Sequence, residues 1–148
     1  MNIRYGTKAD APRIVEFQAA MAMETENKTL DTEVVLGAVN DVFDDANKGF
    51  YVVAEEDGIV IGGLMVTFEW SDWRRGWWWW IQSVYIVSEA RGKKIYSQLY
   101  DFVKDKAREA SDVKGIRLYV ETENVHAQRV YEKLGMERLP YYMYDHWL

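Results

Sequence analysis

Three cations crowd one short stretch of the chain. Arg91, Lys93 and Lys94 flank Gly92, directly after the polar turn formed by Ser88, Glu89 and Ala90. Ahead of them, Ile81 to Val87 is an apolar run that reads as a strand. Behind them, Ile95, Leu99, Phe102, Val103 and Lys106 recur at spacings of three and four, the period of a helix face. Strand, tight turn and helix start are therefore expected within residues 81–99. The first N–H groups of a helix lack intrahelical acceptors and sit at the positive end of its dipole. A phosphate-bearing ligand would find donors and charge together there. A solvated basic turn between two ordinary elements is the plainer alternative, and on this stretch alone both stand.

Other chemistry-bearing residues are few. The histidines are His126 and His146, and there is no cysteine, so no metal site and no thiolate intermediate are expected. Zero cysteine also suits a reducing cytoplasm. Trp70, Trp73 and Trp77, near the turn at 71–76, are candidates for a substrate mouth in which aromatic faces hold a cation. The four consecutive tryptophans, Trp77 to Trp80, would alternate on a strand, one pair packing and the other facing a pocket or a second subunit.

The elements that must position these residues follow from pattern. Asn2–Tyr5 reads as a strand, and a helix from the Thr7/Asp10 capping spacing runs to about Met23. After a polar break at 24–28, Asp31 caps a second helix reaching Phe43. Phe50–Glu55 and Ile59–Trp70 form a hairpin about Asp57-Gly58, with Gly62 and Gly63 marking a bulge or a close backbone approach. Trp77–Val87 is a strand, Arg91–Glu109 a helix and Gly115–Glu121 a buried strand. A short helix at 125–134 ends at Gly135, and Met136–Leu148 reads as a last, aromatic strand. The order, βααβββαβαβ, describes one mixed α/β domain over residues 1–148 with helices on both sheet faces.

Composition sets outer limits. A length of 148 residues suits one domain with its own core. The net charge of −6 argues against non-specific nucleic-acid binding and favours a cationic partner. Met1–Pro12 lacks the apolar centre of a signal peptide, and no run approaches the ~20 apolar residues of a spanning helix, so no membrane role is expected.

Two motifs carry a resemblance. Val84–Tyr96 reads VYIVSEARGKKIY, and Asn124–Met136 reads NVHAQRVYEKLGM. Together, at this spacing and inside this element order, they resemble the GNAT superfamily of Gcn5-related N-acetyltransferases over essentially the whole chain. The resemblance implies a mixed sheet of six to seven strands whose fourth and fifth strands splay apart, with acetyl-CoA as cosubstrate and no metal. It implies that Gly92, Lys93, Lys94, Ile95 and Tyr96 wrap the pyrophosphate, with Arg91 adding charge, although Lys94 and Tyr96 replace the family's usual small residues. Backbone groups of Val84, Tyr85 and Ile86 would bind the pantetheine arm, Tyr85 through the amide that polarises the thioester carbonyl. Asn124 and Ala127 would approach the arm from the other side, and Tyr131 would protonate the departing thiolate.

The layout is also similar to diamine acetyltransferases, which implies a small, polyamine-like amine acceptor. Their acidic pair is matched here by Gln82 and Ser83, so the base is left to water, Glu24, Glu26 or Glu69. Glu24 and Glu26 fall where the family reads its acceptor, or else form a solvated loop. A protein, peptide or amino-acid acceptor and a non-catalytic CoA-binding module are the competing readings. A homodimer through the aromatic C-terminal segment is expected by the same resemblance.

Overall fold

The computed structural model describes residues 1–148. They group into two compact units, Met1–Leu118 and Tyr119–Leu148.

The first unit holds β1 (Asn2–Tyr5), α1 (Ala11–Glu26), α2 (Thr32–Asp44), β2 (Phe50–Glu56), β3 (Ile59–Ser71), β4 (Gly76–Ile86), α3 (Ile95–Glu109) and β5 (Val113–Arg117). The strands form one sheet in the order β1-β2-β3-β4-β5. The first four are antiparallel and β4 pairs with β5 in parallel, the crossover being α3. The β2–β3 hairpin turns on Asp57 (φ 51°) and Gly58 (φ 79°), the two left-handed residues that a tight primed turn requires.

Strand alternation assigns the faces. Tyr51 and Val53 of β2 pack with Ile14, Phe17 and Val39, so α1 and α2 cover one face. Phe50 meets Tyr5, Phe68 and Trp79, and Phe102 of α3 packs on Tyr5, so α3 covers the other. Leu64, Leu99, Val52, Val66 and Val103 are fully enclosed. Each such side chain contributes about 1.5–3 kcal/mol through burial. Beside the core, Asp10 is buried and its carboxylate takes both Nη groups of Arg4, at 2.8 and 3.1 Å, and the Thr7 N–H at 2.8 Å. Arg4 Nε reaches Glu55 at 2.6 Å, tying β1, β2 and the start of α1 together.

The second unit holds α4 (Val125–Lys133). Gly135 (φ 94°) closes it: its N–H donates to Glu132 O at 3.0 Å and the Met136 N–H to Tyr131 O at 3.1 Å, the paired bonds of a glycine-ended helix.

Four expectations need correction. The sheet has five strands, not six to seven, because residues 136–148 form no strand. Tyr142, Tyr144 and Trp147 there are at least 90% exposed, and β-prone side chains that bury little do not fix an extended segment as a strand. The fifth strand is Val113–Arg117, so residues 118–121 lie outside it. α3 begins at Ile95, because Gly92 (φ 81°) and Lys94 (φ 60°) are left-handed and cannot continue a right-handed helix. Finally, α1 runs to Glu26, so Glu24 and Glu26 lie on its last turn and not in a loop. No helix is long and apolar enough to cross a membrane.

Candidate functional site

β4 is paired on both edges over only part of its length. Its ladder with β5 runs from Trp77/Val113 to Trp80/Arg117 and stops. From Ile81 to Ile86 it pairs with β3 alone. Within that segment the register slips: Gln82 faces Met65 and Tyr85 faces Gly63, so Ser83 and Val84 share the single opposite residue Leu64. Ser83 is left-handed at φ 52°. The bulge reverses the strand's phase. Trp79 packs on the α3 face with Phe50, whereas Tyr85, six residues on, packs on Phe17 of α1 with ring centroids 5.3 Å apart. Gly62 and Gly63 lie opposite, where a Cβ would come within 2.7 Å of Ile86 Cδ1 and 2.9 Å of Val52 O.

Past the bulge, the Val87 N–H donates to Ile61 O at 2.9 Å, across β3. Amides alternate along a strand, so the Tyr85 N–H also turns to β3 and the Ile86 N–H turns to the edge that β5 has left. The Ile86 carbonyl on that edge accepts from Arg91 Nε at 2.9 Å.

β4 runs by way of a single 3-10 turn, Ser88–Ala90, into Arg91–Lys94 and the start of α3. No side chain caps α3 and its first turn contains no acid. By contrast, Asp31 caps α2, accepting from the N–H groups of Glu33 and Val34. Gly92 leaves open space where a Cβ would stand, so glycine is required there by φ alone. A backbone turn with Lys93 and Lys94 beside an uncapped helix start is suited to an anion.

The predicted substrate residues separate into distinct places. Glu24 accepts from Arg91 Nη2 at 2.9 Å and from the Tyr85 hydroxyl, and these two donors hold its carboxyl below the usual range, Tyr85 contributing most. The same bond to Glu24 raises the Tyr85 phenol, whose ring lies 5.4 Å from the Arg91 guanidinium. Glu26 is exposed and 3.8 Å from Lys28 Nζ. Trp70 stacks edge-on with Trp77 at 4.9 Å on the α3 face, and Trp73 is 90% exposed in the turn.

Glu69 and Gln82 share the opposite face, with Trp78 and Trp80. Gln82 Nε2 donates to Thr67 Oγ1. Glu69 accepts from Trp80 Nε1 and from Arg117 Nη1, both at 3.0 Å. The Arg117 guanidinium lies 3.9 Å from the Trp78 ring centroid. The sequence marks Trp78 and Trp80 only as one alternating pair of the tryptophan run, and it does not mark Arg117 as a site residue. The available signal was a lone arginine inside the apolar run Ile116–Val120.

In the second unit, Asn124 caps α4 by accepting from the Ala127 N–H at 3.2 Å. Ala127 and Tyr131, four apart, share one stripe of that helix. Burial raises the Tyr131 phenol above its ordinary value near 10.0, so the hydroxyl keeps its proton at neutral pH. No group of three or more His, Cys, Asp or Glu side chains is arranged to hold a metal ion.

A model of the acetyltransferase (GNAT) family matches residues 14–136. Among solved structures, the chain is similar to a possible acetyltransferase from Clostridium difficile 630, with 39% identity, a TM-score of 0.92, and 99% of this chain and 97% of that one covered. A predicted acetyltransferase with acetyl-CoA from Clostridium acetobutylicum shares the fold at 18% identity and a TM-score of 0.79, covering 98% and 95%. So does glucosamine-6-phosphate N-acetyltransferase from Arabidopsis thaliana, at 20% identity and a TM-score of 0.75, covering 98% and 97%. No curated protein matches the chain.

Proposed function

The chain belongs to the acetyltransferase (GNAT) family and is an N-acetyltransferase; on that premise we propose that it joins acetyl-CoA and the primary amine of a small molecule in one ternary complex. The observation that carries the proposal is the unpaired edge of β4 from Ile81 to Ile86, leading within a few residues to the uncapped start of α3. An arm with amide groups can pair with such an edge as a further strand would, and phosphates suit the amides and cations of Gly92–Tyr96.

Bound there, acetyl-CoA supplies a thioester whose C–S bond breaks as the amine nitrogen forms its new C–N bond. In this reading an amide on the open edge polarises the thioester carbonyl. Alternation along the ladder favours the amides of Val84 and Ile86 for that role over Tyr85. Val84 and Ile86 then hold the arm, and Asn124 and Ala127 are assigned to the same cofactor. Tyr131 gives its proton to the leaving sulfur, which a hydroxyl kept neutral by burial can do. The amine must arrive without its proton. Glu24 and Glu69 are both engaged by donors, so water is the better carrier of that proton. Arg91, held by Glu24 and Ile86, secures the end of β4 next to the phosphate turn.

The test is release of free thiol from acetyl-CoA with a panel of amines. The proposal expects thiol and acetylated amine in equal amounts. Tight CoA binding with no amine acetylated would contradict it. The same reading includes a homodimer through the exposed aromatic residues of 141–147, which light scattering at micromolar concentration checks; a monomer would remove that part.

A further inference from the structure

The Trp78 indole lies across Gly115 of β5, its partner in the ladder, where a Cβ would come within 2.3 Å of the ring. Two guanidinium groups approach this ring, Arg117 at 3.9 Å and Arg74 at 5.3 Å. One carboxylate serves the cluster. Both oxygens of Glu69 are in use, one on Arg117 Nη1 and one on Trp80 Nε1. Arg74 has no carboxylate within ion-pair distance, and Arg117 Nε is buried without an acceptor. Two guanidinium charges thus stand against one carboxylate, with a buried N–H left over. A buried donor without an acceptor costs stability, so such a group calls for a ligand or water that satisfies it.

Resting on the acetyl-transfer reading above, we infer that the amine acceptor carries an anionic group, a carboxylate or a phosphate, bound by Arg74 and Arg117 beside Trp78. A polyamine suits the cluster poorly. Its ammonium groups would meet like charge, and the chain's own cations already approach the aromatic ring that would attract it. Geometry also limits the acceptor's length. The cluster ends at Trp80, where β4 loses β5, and the Val84 amide, the first on the open edge past the Ser83 bulge, lies four residues further, about 13 Å along the strand. The amine and the anion of the acceptor are therefore separated by several bonds, as in an ω-amino carboxylate or an amino-sugar phosphate.

The test uses the full chain and reads binding apart from turnover. Tryptophan fluorescence is titrated with N6-acetyl-lysine, with N-acetylcadaverine, which lacks only the carboxylate, and with an N-acetylated amino-sugar phosphate. At least one anionic ligand is expected to bind about tenfold more tightly than N-acetylcadaverine, and the two anionic arms tell carboxylate from phosphate. Arg74→Gln is expected to abolish most of that preference and to raise KM for the anionic acceptor, with kcat, the KM for acetyl-CoA and the melting temperature unchanged. Equal binding of the anionic ligands and N-acetylcadaverine, or a preference untouched by Arg74→Gln, overturns the inference. Brisk acetylation of diamines without any anion preference sinks this inference alone. Anion binding with no acetylation of any amine sinks the transfer reading, and the acceptor assignment with it.

Discussion

Arg117 stands opposite Trp80 in the last rung of the β4–β5 ladder, and three residues further along β4 Ser83 adopts a left-handed conformation. The first feature frees an edge and the second turns the strand so that Tyr85 meets α1. A β-branched residue at φ 52° costs about 1–2 kcal/mol, whereas glycine accepts that region freely. Ser83→Val is therefore expected to lower stability by that amount and to weaken acetyl-CoA binding, while Ser83→Gly retains both. Urea unfolding and calorimetry check the pair; equal behaviour of the two variants would detach the bulge from the site.

Tyr131 should act through its proton. Tyr131→Phe is expected to lower kcat by about 10²-fold, the lower end of what a positioned acid contributes, with little change in KM or unfolding midpoint. Burial raises the phenol, so the proton persists above the ordinary value near 10.0. The alkaline fall of kcat assigned to Tyr131 should accordingly appear above that value. Unchanged kcat in Tyr131→Phe would end the acid role.

Asp10 links acid stability to the fold. The Arg4 guanidinium holds its carboxyl below the ordinary value near 3.8, despite burial acting the other way. A depressed carboxyl contributes stability in full above its unfolded value and loses it as pH falls through the folded one. Asp10→Asn is expected to cost about 2 kcal/mol at neutral pH and to flatten the stability curve below about pH 4. Melting curves at several pH values would show this, and parallel curves for the two proteins would contradict it.

Gly115 makes room for Trp78. A methyl group there would lie 2.3 Å from the indole, so the ring or β5 must shift. Overpacking of this kind costs about 1–3 kcal/mol. Gly115→Ala is expected to lose that much stability and to shift tryptophan emission toward the red as Trp78 leaves Arg117. A variant with native emission and stability would show that the contact is not tight.

Much of this was legible in the chain. The hairpin at Asp57-Gly58, the cap at Asp31 and the glycine end of α4 are local signals, and local chemistry decided them. The Gly62-Gly63 pair marked a close approach for the same reason. What escaped depends on distant partners. Nothing in Gln82-Ser83-Val84 announces a left-handed serine, because the bulge arises from pairing against Leu64. The tail at 136–148 has strand-forming side chains yet forms no strand. Arg117 is an ordinary charged residue until β4 and β3 bring Trp78 and Glu69 beside it.

Amide hydrogen exchange with and without acetyl-CoA tests the open edge most directly. The account predicts slower exchange on ligand addition at two places in the first unit, amides on the free edge of Ile81–Ile86 and the backbone of Gly92–Tyr96. Unchanged exchange at both, with acetyl-CoA shown to bind, would contradict it.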